Sequence, residues 1–327
     1  MMKNSILIED FLGYMRTVRG ASKKTIYEYR CDLQRFLKFM KLRCVLHETF
    51  DHQSVDNEES FDEIDISDLD ASFLNQIKLQ DLYAYLSYLD LRHRNQANTR
   101  ARKTASIRSF FGFYYKQLGL INENIADKLE APKLGKKNPI YLTLDECYKL
   151  LDIIISSKIN SFVKQRDFCI IVLFLNTGMR LSELSSINMD MIKNDALTVI
   201  GKGNKERTIY LNEACLEAIQ DYKALRPKVE DNALFLSTRK KRMSNRAIQS
   251  RIDFYLQAAG FDIRIYSTHK LRHTAATLMY KYGSVDIRTL QQILGHASVS
   301  TTQIYTHLDD DTLRKAIRKN PLSKYKI

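Results

Sequence analysis

Between His269 and His307 the chain reads HKLRHTAATLMYKYGSVDIRTLQQILGHASVSTTQIYTH, which sets His269, Arg272, His296 and Tyr305 on short helical pieces separated by Gly283 and Gly295. A tyrosine hydroxyl can replace one bridging oxygen of a phosphodiester, provided that cations and donors surround the phosphate and neutralise the charge of the pentavalent transition state. Such a set can cut a nucleic-acid strand without a metal. The rest of the chain must then supply further cations.

Spacing sorts these residues. His269 and Arg272 are three apart, so on one helix they point the same way and can reach one phosphate together. His273 adjoins Arg272 and so faces elsewhere, as a packed or capping histidine. The i, i+4 spacing of His269 and His273 also suits zinc. However, no H-E-x-x-H pattern and no neighbouring carboxylate or cysteine completes a site, so no metal is expected. Upstream, Arg180 follows Gly178 at the start of a helix, and Glu183, three residues on, can hold its guanidinium. Taken alone, that pair reads as a surface ion pair, and Tyr305 as one half-buried tyrosine among 18.

The partner implied by charge is a polyanion. Lys and Arg outnumber Asp and Glu by 51 to 38, for a net charge of +13, which favours nucleic acid. Residues 1–131 are balanced, so the whole excess lies from residue 132 onward. Within the first part the stretch from Glu48 to Asp70 contains acids and no Lys or Arg. It reads as a solvated loop or insertion that avoids DNA. The five cysteines are scattered, with no C-x-x-C pair, as expected of reduced thiols in the cytosol. No apolar run is long enough for a signal sequence or a bilayer span, so a cytoplasmic protein is expected.

The elements that must carry the site fall into two domains. In residues 1–130, Ser22 caps a predicted helix with the stripe Ile26, Tyr29, Leu33, Phe36, Leu37 and Met40. A second stripe runs through Ile107, Phe110, Phe111, Tyr114 and Leu118. Both stripes read as core. Arg100, Arg102, Lys103 and Arg108 on the second helix suit either a solvated face or phosphate contacts. The stretch APKLGKKNP, residues 131–139, reads as a linker. After it, Thr143 and Glu146 form a capping box for a helix ending near Ile155. An apolar helical segment from Phe168 to Leu175 then delivers TGMRLSEL. Leu197 to Ile200 and Arg207 to Leu211 have strand composition and are joined by GKGNKE as a hairpin. The basic run Arg239, Lys240, Lys241, Arg242, with Arg246 and Arg251 after it, lies before or on a helix ending near Gly260. Lys240, Arg242 and Arg246, with Arg100 and Lys103, are the candidate DNA contacts. The fold class is mainly α with a small β-hairpin or sheet.

Taken in order, TGMRLSEL, GKGNKER, HKLRH, LGH and TTQIYTH closely resemble the successive signature segments of the tyrosine recombinase (integrase) family, in its XerC/XerD-like form. Each motif is weak alone, and all five in sequence are specific. The resemblance implies a helical core-binding domain in residues 1–130 and a mixed α/β catalytic domain in 140–327, ending in a helix that docks on a neighbouring subunit. It implies that Tyr305 is the nucleophile, forming a 3′-phosphotyrosyl link and releasing a 5′-hydroxyl. Arg180 and Arg272 would clamp the non-bridging oxygens, a task suited to planar guanidinium. His269 and His296 would add donors or proton transfer, and Lys202 would protonate the leaving oxygen from a mobile turn. Lys205, three residues on, competes for the last role, and Glu183 supports without doing chemistry. The bond energy stays in the phosphotyrosine, so neither ATP nor a metal cofactor is implied. The implied partners are DNA with paired inverted half-sites, the protein itself or a paralogous recombinase in a tetrameric synapse, and a DNA translocase of the FtsK type.

Within that family, core-binding helices near the start of the chain favour an Xer-like enzyme of chromosome dimer resolution at a dif-like site. The acidic stretch departs from the compact Xer pattern and keeps an integrase or excisionase of a mobile element in view. A type IB topoisomerase shares the chemistry but needs no partner subunits. From another class, TLQQILGHASVSTTQIY also fits the helix-turn-helix of a non-catalytic regulator. That reading leaves Arg180, Lys202, His269 and Arg272 without a role.

Overall fold

The computed structural model describes residues 5–45, 61–91, 96–132, 139–200, 206–283, 285–295 and 302. Lys202, Lys205, His296 and Tyr305 lie outside the described residues, as do residues 46–60 with the first part of the acidic stretch, the hairpin turn and the C-terminal segment after the tyrosine. The chain divides into two units, 1–136 and 137–327. Among the described residues no helix is long and apolar enough to cross a membrane.

The first unit is helical. Helix α1 (Ile6–Thr17) starts at Ser5, whose hydroxyl accepts from Leu7 N. Helix α2 (Lys23–Cys44) starts at Ser22, whose hydroxyl accepts from Thr25 N, so the cap read from the sequence is the one used. Helices α3 (Ala71–Leu74), α4 (Leu79–Leu91) and α5 (Ala97–Gly112) follow. The two expected stripes meet in one aromatic core: Phe36 lies edge-on to Tyr85 and Phe111, and Phe110 edge-on to Phe11 and Tyr114. Leu118 departs from its stripe and is 44% exposed. The reason is local. Helix α5 passes into a π-helical turn, Phe113–Gln117, where Leu118 N donates to Phe113 O, five residues back. The wider turn rotates the next side chain out of phase with the α-helical period.

Two further expectations change here. The second half of the acidic stretch is folded, not solvated: Phe61, Ile66 and Leu69 are buried, and α2 reaches out to it. Lys38 Nζ donates to Asp62 O at 2.6 Å, and Lys41 Nζ to Asp68 Oδ1 at 2.6 Å. Lys103, read as a DNA contact, is 8% exposed and bonds Asp32 Oδ1 at 2.7 Å, beside Arg102 and Ser106 on the same carboxylate. Its position explains this. Lys103 stands four residues before Ile107, on the apolar stripe itself, so its charge needs a buried partner. Arg100 pairs with Asp90, and Arg108 donates to Leu129 O.

The second unit is built around α7 (Ser161–Thr177), in which every residue from Cys169 to Leu175 is buried. A helix that is apolar all round must be surrounded. Around α7 stand α6 (Leu144–Ile155), α9 (Glu213–Leu225), α10 (Asn245–Ala258) and α11 (Thr268–Tyr282). The expected capping box opens α6: Glu146 N donates to Thr143 Oγ1 and Thr143 N to Glu146 Oε2. Short helices α8 (Leu181–Ser185) and α12 (Ile287–Leu294) complete the helical set described. The expected hairpin is β2 (Ala196–Ile200) and β3 (Glu206–Tyr210), antiparallel, with Val199 opposite Arg207 and Ile200 opposite Glu206. The sequence reading missed a third strand, β1 (Ile192–Lys193), on the outer side of β2. Two residues are too few to show a period. The five cysteines are free, and burial pushes the thiols of Cys147 and Cys215 up to about 12 and about 11.

Candidate active site

Helix α7 ends at Gly178, in the left-handed conformation at φ 60°, with its N–H on Phe174 O. The turn releases Met179 and Arg180 beside α11. Glycine is required here twice over. A Cβ would lie 2.9 Å from Leu294 Cδ2 and 3.4 Å from Ala275 Cβ. Gly178→Ala should cost about 2–4 kcal/mol of stability, from left-handed strain plus overpacking. Urea unfolding at constant m-value measures it.

From this turn the site assembles as a web of arginines. Glu183, in the first turn of α8, is 1% exposed. It accepts from Arg180 N at 2.7 Å and from Arg180 Nη1 at 2.8 Å. The expected support of Arg180 by Glu183 is present in the geometry. The carboxylate also takes Arg207 Nη2 at 2.8 Å and Nε at 3.4 Å. Burial alone would raise the pKa of Glu183, but hydrogen bonds from Arg207 and Arg180 outweigh it and hold the group below its usual value. It therefore stays ionised.

The end of helix α12 is tied to the same arginines. Three successive carbonyls at its C-terminal end, which have no helical donors of their own, each go to a different arginine. Arg207 Nη1 donates to Ile293 O, Arg272 Nη2 to Leu294 O at 2.6 Å, and Arg180 Nη2 to Gly295 O at 2.7 Å. Cations are favoured at such a helix end. Arg272 is 5% exposed and also donates from Nη1 to Gly178 O at 2.6 Å, so it ties the α7 turn to α12.

Arg180, Arg272 and His269 line one cavity of about 490 Å³, together with Ser182, Asn245 and Thr268. Residues separated by 92 positions in the chain thus face a shared space, large enough for a phosphodiester and its flanks. His269 stands at the open side, its ring 4.5 Å from that of His273 and edge-on to it. His273 therefore packs against the candidate residue rather than facing away, because four residues make just over one helical turn. Partial desolvation of the His269 ring, then the charges of Arg272 and Lys270, hold its pKa below 6.5. The neutral ring is thereby favoured in the folded state. The unfolded chain then takes up this proton first, so stability falls as pH drops from about 6.5 towards the lower folded value. His269→Asn should make the acid limb of a pH-dependent melting curve shallower.

The other basic candidates divide. Lys240 is exposed in a turn at φ 58°. Arg242 is exposed too, and it also donates to Ser185 O at 3.1 Å, to Ile187 O at 3.3 Å and to Asn188 Oδ1. Arg251 holds the buried Asp167 at 2.7 Å. Arg246 is exposed at the start of α10, where it lines a shallow hollow with Gln249, Ser250 and Phe254. Sequence reading missed Arg207 as a member of the site. The GKGNKER segment ends on it, but the segment's lysines drew the chemical reading.

Residues 141–312 match the phage integrase family. The chain belongs to this family, the tyrosine recombinases. Recombinase relatives match over nearly its full length. A tyrosine recombinase XerC of Caldanaerobacter subterraneus is 52% identical over 99% of this chain and 89% of its own. XerC of Thermodesulfovibrio yellowstonii is 31% identical over 99% of both chains, and XerD of Staphylococcus saprophyticus is 32% identical over 94% of this chain and 96% of its own. Among solved structures, a XerH site-specific recombinase bound to palindromic difH substrate aligns with TM-score 0.66 and 21% identity, covering 96% of this chain and 95% of that one. A lambda integrase dimer on a COC′ core site aligns with TM-score 0.65 and 19% identity, over 93% and 95%. These two share the mostly helical recombinase fold with its small sheet. The chain is therefore a tyrosine-type site-specific recombinase, and the helix-turn-helix regulator drops away.

Proposed function

We propose that this recombinase joins DNA strands at a dif-like site in chromosome dimer resolution, through a 3′-phosphotyrosyl intermediate on Tyr305. The observation that carries the reading is the cavity shared by Arg180, Arg272 and His269, in a chain 52% identical to a XerC across 99% of its length. The two guanidiniums take the non-bridging oxygens of the scissile phosphate, where charge grows as the fifth bond forms. Tyr305 loses its proton, its oxygen bonds phosphorus, and the bond to the 5′-oxygen breaks. Lys202 gives that oxygen a proton. His269 and His296 donate or relay protons at the same phosphate. A 5′-hydroxyl of the partner strand then reverses the steps, and no net bond energy is spent.

DNA is engaged through exposed cations, with Arg246 and Lys240 as phosphate or groove contacts from α10 and the turn before it. The substrate has paired inverted half-sites, and the protein, or a paralogue, fills a tetrameric synapse. Residues 1–130 act as the core-binding domain, and the C-terminal segment docks on a neighbouring subunit. The setting is the cytoplasm, with a translocase of the FtsK type as the partner that starts exchange.

The test is covalent capture. Nicked DNA carrying dif-like candidate sites, incubated with the protein and resolved on a denaturing gel, should give a protein–DNA band that persists with chelator. No band, or one lost with chelator, overturns the mechanism. Capture on a mobile-element junction but not on dif-like DNA overturns the chromosomal role alone.

A further inference from the structure

Arg207 lies outside the set of residues that touches the phosphate in the proposed mechanism, yet its guanidinium makes three hydrogen bonds directly behind that set. It stands at the second position of β3, two residues after the hairpin turn, with a side chain only 14% exposed. Its guanidinium spans two groups on elements far apart in the chain: the buried carboxylate of Glu183 and the carbonyl of Ile293. Glu183 in turn fixes Arg180 through both backbone and side chain. The carbonyls of Ile293, Leu294 and Gly295 are held in register by Arg207, Arg272 and Arg180, and the peptide continues directly into His296. The packing is equally close. At Gly295, φ 63°, a Cβ would sit 2.9 Å from Arg207 Cδ.

We infer that Arg207 is a positioning residue for strand cleavage, one that sets Arg180 through Glu183 and fixes the end of α12 that leads into His296. It touches no reacting atom. A planar guanidinium is needed because it must bridge a carboxylate and a carbonyl at once, which a single ammonium point charge does poorly. Without it, Glu183 would answer to Arg180 alone, and the Ile293 carbonyl would lose its donor. The guanidinium clamp would then loosen while the DNA-binding surface stayed as it is. This inference rests on the recombinase reading above.

The test separates this role from action through the neighbouring lysine turn. Arg207→Met keeps the stem that packs on Gly295 and removes the donors. At saturating nicked DNA it should cleave about a hundredfold more slowly than wild type, with DNA affinity within about twofold, as expected when only the geometry of the reacting groups is lost. A second substrate carries sulfur at the bridging 5′ position. A thiol, with a pKa of about 8.5, leaves without a proton donor, so this DNA should rescue Lys202→Ala but not Arg207→Met. In a double variant with Glu183→Gln, the Arg207→Met loss should shrink but not vanish, because the Glu183 contact is already gone and only the Ile293 contact is left to lose. Arg207→Lys should recover part of the rate, and it carries the same comparison if the methionine variant does not fold. Wild-type rates in both variants overturn the inference, as does rescue by the sulfur substrate or an affinity loss equal to the rate loss. If wild type itself forms no adduct on either DNA, the recombinase mechanism fails first and this inference with it. A wild-type adduct with an unaffected Arg207 variant sinks the inference alone.

Discussion

Tyr305→Phe is expected to abolish the covalent protein–DNA adduct, with no residual product above background, while DNA binding persists. The phenyl ring fills the same space and lacks only the oxygen that would bond phosphorus. Of the 18 tyrosines, 16 fall among the described residues, and none of these lines the cavity shared by Arg180, His269 and Arg272. Several are committed elsewhere: Tyr85, Tyr114 and Tyr222 are buried, and burial raises their pKa values. Tyr255 bonds Asp167 at 3.2 Å. Tyr305 and Tyr325 remain, and only Tyr305 lies within the 141–312 family match. Mass spectrometry of a trapped adduct should find the nucleotide on the peptide containing Tyr305. Adduct on Tyr325, or full adduct from Tyr305→Phe, would falsify the assignment.

Arg272→Gln should give the largest combined loss. Removing one preorganised donor at a transition-state oxygen costs about a hundredfold to a thousandfold in rate. Arg272 also has a structural task that Gln cannot fulfil, because its two Nη atoms satisfy the buried Gly178 and Leu294 carbonyls. Leaving such groups unmet costs about 1–3 kcal/mol each. The variant should therefore melt lower as well as cleave more slowly. Arg272→Lys should regain charge but not both carbonyls, and so recover more stability than rate. Single-turnover cleavage, read beside chemical denaturation, separates the two losses. A variant that melts lower but cleaves at the wild-type rate would remove Arg272 from the chemistry.

These effects meet in one residue because the same guanidiniums that suit a phosphate also suit a helix C-terminus. In the described structure, Arg180 and Arg272 hold the carbonyls at the end of α12. The last turn of that helix is therefore the scaffold on which the clamp is set. Gly178 and Gly295, both left-handed, let the two turns approach this closely.

Much of this was legible in the amino-acid sequence, because it rests on local rules. Caps at Ser22 and Thr143, the hairpin, the apolar run of α7 and the stripes of α2 and α5 follow from short-range periodicity and hydrogen-bonding chemistry. The order of the five signature segments pointed to the family, and to Arg180, His269 and Arg272, which line one cavity. What sequence could not supply was the company each charge keeps. Lys103 read as a surface cation and is a buried partner of Asp32. Arg242, read as a DNA contact, also braces carbonyls near α8. Arg207 passed as one more residue of a basic turn and is a strut between Glu183 and α12. In each case the deciding contact spans 24 to 86 positions of sequence or lies across a turn that no period encodes. Residue type and spacing determined which groups could do the chemistry. Only the tertiary structure decided which of those charges are spent holding the protein together, because a cation's role is fixed by the nearest carboxylate or carbonyl, and long-range packing chooses that neighbour.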